Sequence, residues 1–235
     1  MKIKQLLTPI VVGCIVTAAP VALADSPLTS TPFAKAYKDV DLITYASVYG
    51  LDDKVFQNLS NPNITHDVRA AIINQLGFSV EPSQRANQYL EYIARSRSQQ
   101  PSAITLEMLT AAETLALGYL LAMDDPTLES AVAVGNRSRS SSSLGQVQRA
   151  NALLLLDAAV VKDPEDFSIA FIRSLVRAQE SLRAGIGNWC AVYQNVFSVL
   201  KEFPRQRNMR PEAIDMVNDY IRGYRNYCNS RSISR

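Results

Sequence analysis

Between Phe33 and Tyr227, in segment after segment, apolar residues recur three or four positions apart, and no convincing stretch alternates apolar with polar at every second. A period near 3.6 lines one stripe of a helix, whereas a half-buried strand needs a period of 2. A chain patterned this way buries its apolar surface by packing helix on helix. Composition agrees. Of the 235 residues 47% are apolar, enough for a core, and 9 Gly with 11 Pro are too few for a turn-rich β protein. The expected fold is all-α, with about 8–10 helices stacked as antiparallel pairs in a superhelix or irregular array.

Caps and breakers mark where each helix should begin and end. Thr31-Pro32 reads as an N-cap and first helical residue, opening a helix to Tyr49 that carries Phe33, Tyr37, Val40 and Tyr45 and stops at Gly50. Leu51 to Leu59 forms a second, ended by Asn61-Pro62-Asn63. Thr65 caps a third, with Val68, Ala71, Ile72 and Leu76 on one face and Gly77 at its end. Pro82 opens a fourth, with Ala86, Tyr89, Leu90 and Ile93 inward. Thr105 to Met123 is the most apolar helix, and Thr127 to Val134 a short one after Asp124-Asp125-Pro126. Val147 to Val161 follows, with Leu153 to Leu156 as a buried run. Asp163-Pro164-Glu165-Asp166 caps Phe167 to Ala184. Gly185 and Gly187 separate that helix from Trp189 to Phe203, and Pro211 starts a last one ending near Cys228.

Residues 1–24 read as a signal peptide. Lys2 and Lys4 precede a nearly continuous apolar run, and Ala22-Leu23-Ala24 offers small residues at Ala22 and Ala24 for cleavage. Two alternatives stay open: an uncleaved anchor, since the run approaches the ~20 residues of a membrane span, and lipidation at Cys14. Export to the periplasm or the exterior is the expectation, with no stable membrane span after cleavage. The remaining chain divides into an acidic helical half, 25–135, a Ser/Arg-rich loop, 136–143, a basic helical half, 144–229, and a disordered tail, 230–235. Residues 25–135 hold 7 Lys/Arg against 13 Asp/Glu, and residues 136–235 hold 15 against 9. The halves are expected to complement each other; the alternative is an acidic partner for the Arg-rich half. Without Lys2 and Lys4 the charges balance, which gives no argument for nucleic-acid binding.

Val55 to Leu59, Asn61-Pro62, Asp67 to Ala71 and Leu76-Gly77, within residues 51–78, resemble a HEAT-type helix pair. Ala152, Leu156, Ala159 and Pro164, within residues 147–166, resemble the second half of a tetratricopeptide-type unit. The resemblance implies antiparallel helix pairs stacked in a right-handed arrangement, and it implies no activity.

Catalytic motifs are scarce. His66 is the one histidine, with no second histidine or thiol at ligand spacing, so no metal is expected. Phosphate-cradling loops, nucleophile turns and haem-attachment motifs are missing, so no cofactor or catalytic residue is assigned. The acidic clusters Asp52-Asp53, Asp124-Asp125 and Asp163/Glu165/Asp166 fall at helix ends, where acids cap and turn.

Once Cys14 leaves with the signal, Cys190 and Cys228 are an even pair in an exported chain and should form a disulfide. They flank the two arms of an antiparallel hairpin, and the closed loop would stabilise by about 4 kcal/mol in the chain-entropy account. Tyr220, Tyr224 and Tyr227 fall at i, i+4 and i+7 with Arg222 and Arg225 between them. That stripe is either part of the core or an interaction face for peptide or sugar. The expected function is a non-enzymatic interaction or scaffold module of the cell envelope, with a protein partner of unknown identity. A carboxylate-dependent hydrolase and an apolar-ligand binder built on the 105–123 helix are the alternatives.

Overall fold

A computed structural model describes residues 26–77, 84–133 and 144–228. The signal segment with Ala22 and Ala24, the Ser/Arg-rich stretch 136–143, Pro82 and the tail 230–235 lie outside the described residues. Among the described residues the chain is all-helical, without a strand. Nine α-helices follow one another there: α1 (Asp41–Tyr49), α2 (Asp53–Ser60), α3 (His66–Leu76), α4 (Arg85–Ser96), α5 (Ala111–Asp124), α6 (Ala152–Lys162), α7 (Phe167–Arg183), α8 (Trp189–Glu202) and α9 (Pro211–Arg222). Short 3₁₀ segments accompany them, the longest being Phe33–Tyr37 before α1 and Gly223–Cys228 after α9.

Side chains that accept the first free N–H groups fix four of the starts. Asp52, Thr110, Asn151 and Asp166 accept from the backbone N–H of Val55, Glu113, Leu154 and Ile169 respectively. Thr110 and Glu113 complete a reciprocal capping box, so α5 begins at Ala111 and residues 105–109 form turns instead of the expected first turns of helix. The first expected helix is also broken. Thr31 does not cap it, because its hydroxyl donates to the Pro27 carbonyl at 2.6 Å, and an extended Val40 separates Phe33–Tyr37 from α1. Residues 127–133 are not helical. The Asp125 carboxylate accepts from the N–H groups of Thr127, Glu129 and Ser130, and Leu128 takes a positive φ of 59°. In α6 the buried run is Leu155-Leu156, since Leu154 is 47% exposed.

Helix α5 is the centre of the core. Every residue from Ala112 to Met123 is buried, and the helix packs on α2, α3, α4, α6 and α7. Gly118 permits the close approach of α6. A side chain there would meet Leu156 at 2.8 Å and the Ala152 carbonyl at 3.1 Å. Helix α2 packs chiefly on α4 and α5, not on α3, so the HEAT-like segment is not a simple two-helix hairpin. Helices α7 and α8 do form an antiparallel pair: Phe167 and Phe203 meet edge-on at one end, while Trp189 donates to the Leu182 carbonyl at the other. Helix α9 lies on α8 and on the Phe33–Tyr37 turn, which brings the ends of the described chain together.

Candidate functional site

In the turn that joins α7 to α8, Gly185 adopts a φ of 92°, a conformation that favours glycine. It turns the chain so that α8 begins with Trp189 and Cys190, leaving Ile186 69% exposed on the turn. From the opposite side α9 tightens at Gly223 into the 3₁₀ segment. Residues three apart eclipse in a 3₁₀ helix, which sets Tyr227 over Tyr224. The Cys190–Cys228 disulfide joins the two pieces, with Cα atoms 4.6 Å apart. The expected pairing and the hairpin geometry behind it are both present.

Between these pieces lies a groove of about 520 Å³ lined by Leu182, Trp189, Tyr220, Gly223, Tyr224 and Tyr227. Trp189 stands edge-on to Tyr227 at 4.8 Å and to Tyr224 at 6.0 Å between ring centroids. The Tyr220 and Tyr224 hydroxyls are 3.0 Å apart. The predicted tyrosine stripe is thus divided in its burial: Tyr224 is 7% exposed, Tyr220 half-buried and Tyr227 37% exposed. Arg222 and Arg225 of the same segment are exposed. Arg222 pairs with Asp219 at 3.3 Å, an exposed contact of little strength. Arg225 has no carboxylate partner among the described residues. The sequence reading missed Trp189 and Leu182, the other wall. A signal for Trp189 was present: pairing Cys190 with Cys228 brings their neighbours Trp189 and Tyr227 together.

A second cluster gathers His66, Asp163 and Asp166, whose ligand atoms lie within 4.8 Å of one another. It adjoins two surface hollows of about 430 and 470 Å³, which share Glu165, Arg205 and Gln206. Its hydrogen bonds argue against a cation. Arg69 donates to His66 Nδ1 at 2.9 Å, so the imidazole proton sits on Nε2, facing Asp163 Oδ2 at 3.7 Å. A metal on Nε2 would displace that proton to Nδ1, against the Arg69 donor. Asp166 is engaged as well, capping α7 through Ile169 and accepting from Asn208 at 2.5 Å. Asp166 thus performs the capping expected of it. Asp52 also caps, and bonds from the Tyr45 hydroxyl and the Val55 N–H hold its carboxyl below the usual range against the upward push of burial. Asp124 is paired with Arg85, yet burial pushes its carboxyl upward.

The apolar face of α5 is filled by its neighbours in the core. The chain matches no family model, no curated protein and no solved structure.

Proposed function

We propose that the protein is an exported, non-enzymatic interaction module that holds a carboxylate-bearing peptide segment of a partner protein in its C-terminal aromatic groove. The observation that carries this reading is the groove itself, in which Trp189 faces three tyrosines of a segment that also carries the exposed Arg222 and Arg225. Trp, Tyr and Arg dominate binding energy at protein interfaces, because they bury large area at small entropic cost and add directed hydrogen bonds. Local charge selects the occupant. No charged side chain lines the groove, and Arg222 and Arg225 of the same segment are exposed. A peptide with an aromatic or aliphatic anchor next to Asp or Glu fills the first and pairs with the second. A neutral sugar would leave Arg225 without a counter-charge. The N-terminal segment and the disulfide favour an oxidising compartment.

Selection of a displayed random peptide library on the oxidised protein tests this reading. Enriched peptides should place Asp or Glu beside Leu, Phe, Tyr or Trp. Tyr227→Ala and Arg225→Glu should each weaken a selected peptide about tenfold, the effect of removing one interface anchor. Selected sequences without acids, or peptides that bind both variants as tightly as the parent, would refute it.

A further inference from the structure

The disulfide and the groove are built from adjacent residues. Trp189 immediately precedes Cys190, and Tyr227 immediately precedes Cys228. The bond that holds the two Cα atoms at 4.6 Å therefore also holds the two facing rings, whose centroids are 4.8 Å apart. Their anchorage is unequal. Trp189 opens a 14-residue helix with four buried residues and donates to the Leu182 carbonyl. Tyr227 sits on a six-residue 3₁₀ segment with one buried side chain, Tyr224. Arg225, Asn226 and Tyr227 are all exposed. A 3₁₀ run of that length has poor hydrogen-bond geometry and little stability of its own. Helices α8 and α9 are held independently, through Val192, Val196, Val199 and Leu200 on one and Ala213, Ile214, Val217 and Ile221 on the other.

We propose that the Cys190–Cys228 disulfide is a redox latch on the groove: a dithiol reductant releases the Tyr227 wall and lowers peptide affinity, while the helical array stays folded. The latch deepens the peptide-groove reading and rests on it for its biological consequence. The chemistry is thiol–disulfide exchange. One thiolate of the reductant attacks a protein sulfur and breaks the S–S bond, giving a mixed disulfide. Its second thiolate displaces that sulfur and closes the reductant's own disulfide. Two electrons and two protons pass from the dithiol, leaving Cys190 and Cys228 as thiols. Both cysteines are half-buried, which leaves the bond within reach of a small dithiol.

Trp189 is the one tryptophan of the chain, so its fluorescence reports on the groove directly. On adding dithiothreitol, its emission should shift to the red and acrylamide should quench it more strongly. The far-UV helical signal should persist at room temperature, and a selected acidic peptide should bind about tenfold more weakly, the effect of losing one aromatic anchor. A Cys190→Ser/Cys228→Ser protein should behave as the reduced form and ignore the reductant. In the oxidised protein Tyr227→Ala should reproduce the loss of affinity with the bond intact. Equal quenching and equal affinity in the two redox states would overturn the latch. So would a general loss of helix on reduction, which would make the bond a staple of the whole fold. If the oxidised protein binds no acidic peptide while Trp189 still responds to reduction, the latch stands and the peptide reading falls.

Discussion

Arg69 is 1% exposed and the largest of the fully buried side chains. Its Nε donates to the Leu59 carbonyl at 2.7 Å and its Nη2 to the Asn61 carbonyl at 2.9 Å. Both carbonyls lie at the C-terminus of α2, where a helix leaves acceptors unfilled and favours a cation. Arg69→Met would strand both acceptors in the interior and should cost about 3 kcal/mol, measured by urea unfolding. The third contact, to His66, makes stability depend on pH. Burial and the neighbouring Arg69 cation depress the His66 pKa, outweighing Asp166, Asp163 and Asp67, which raise it. The unfolded chain therefore binds its proton first, near the ordinary histidine value of 6.5. This contribution to stability is present above that pH and is lost as pH falls toward the depressed folded value. Midpoints from denaturation at pH 7.5 and pH 5 should differ in that direction, and His66→Gln, which keeps an acceptor for Arg69, should shrink the difference. The sequence disclosed neither role: it shows an arginine and a histidine at i, i+3 in a first turn, where both are commonly solvated.

At the scale of elements, the breaks were legible and several starts were not. Gly50, Asn61-Pro62, Asp166, Gly185 and Pro211 end or begin helices where the sequence indicates, because Pro fixes φ, Gly accepts the positive φ of a turn and Asp166 supplies an acceptor for a free N–H group. The 105–109 stretch has helical spacing but forms turns, because the Thr110–Glu113 box offers the chain a better start. Thr110→Ala removes the acceptor for the Glu113 N–H and should lower stability by about 1 kcal/mol. Thermal unfolding of the variant beside the parent checks this, with Thr110→Ser expected to restore most of the loss. In 127–133 the Asp125 side chain takes three N–H groups and folds the chain around itself instead of letting a helix propagate from Thr127. Propensity and periodicity carry no record of such a local competitor.

For the whole molecule, charge segregation turns out to be mostly local. Arg85, Arg95 and Arg97 pair within the acidic half, and Arg173, Arg177 and Arg222 within the basic half. Arg183–Glu129 and Arg210–Asp39 join the halves, with His66 facing Asp163. Arg210 is the chief clamp. It precedes α9, donates to Asp39 and to the Ala36 carbonyl, and lies over the Tyr37 ring at 4.6 Å. Its backbone N–H donates to the Tyr37 hydroxyl at 3.1 Å. Arg210→Gln should lower hydrogen-exchange protection in Phe33–Tyr37 and in α9 together, leaving α5 protected. Loss confined to one of the two segments would show that they open independently.

The sequence alone determined the all-α class, the main helix breaks and the Cys190–Cys228 pairing. All three follow from local rules: periodicity, conformational limits at Gly and Pro, and the reach of a short hairpin. Tertiary structure alone decided that α2 packs on α4 and α5, that Arg69 is buried, and that the tyrosine stripe is split between core and surface. It also decided that Trp189 faces Tyr227 across a groove. Those outcomes depend on which surfaces meet between residues far apart in the chain, and a helical period gives the direction of a side chain without identifying what it will face.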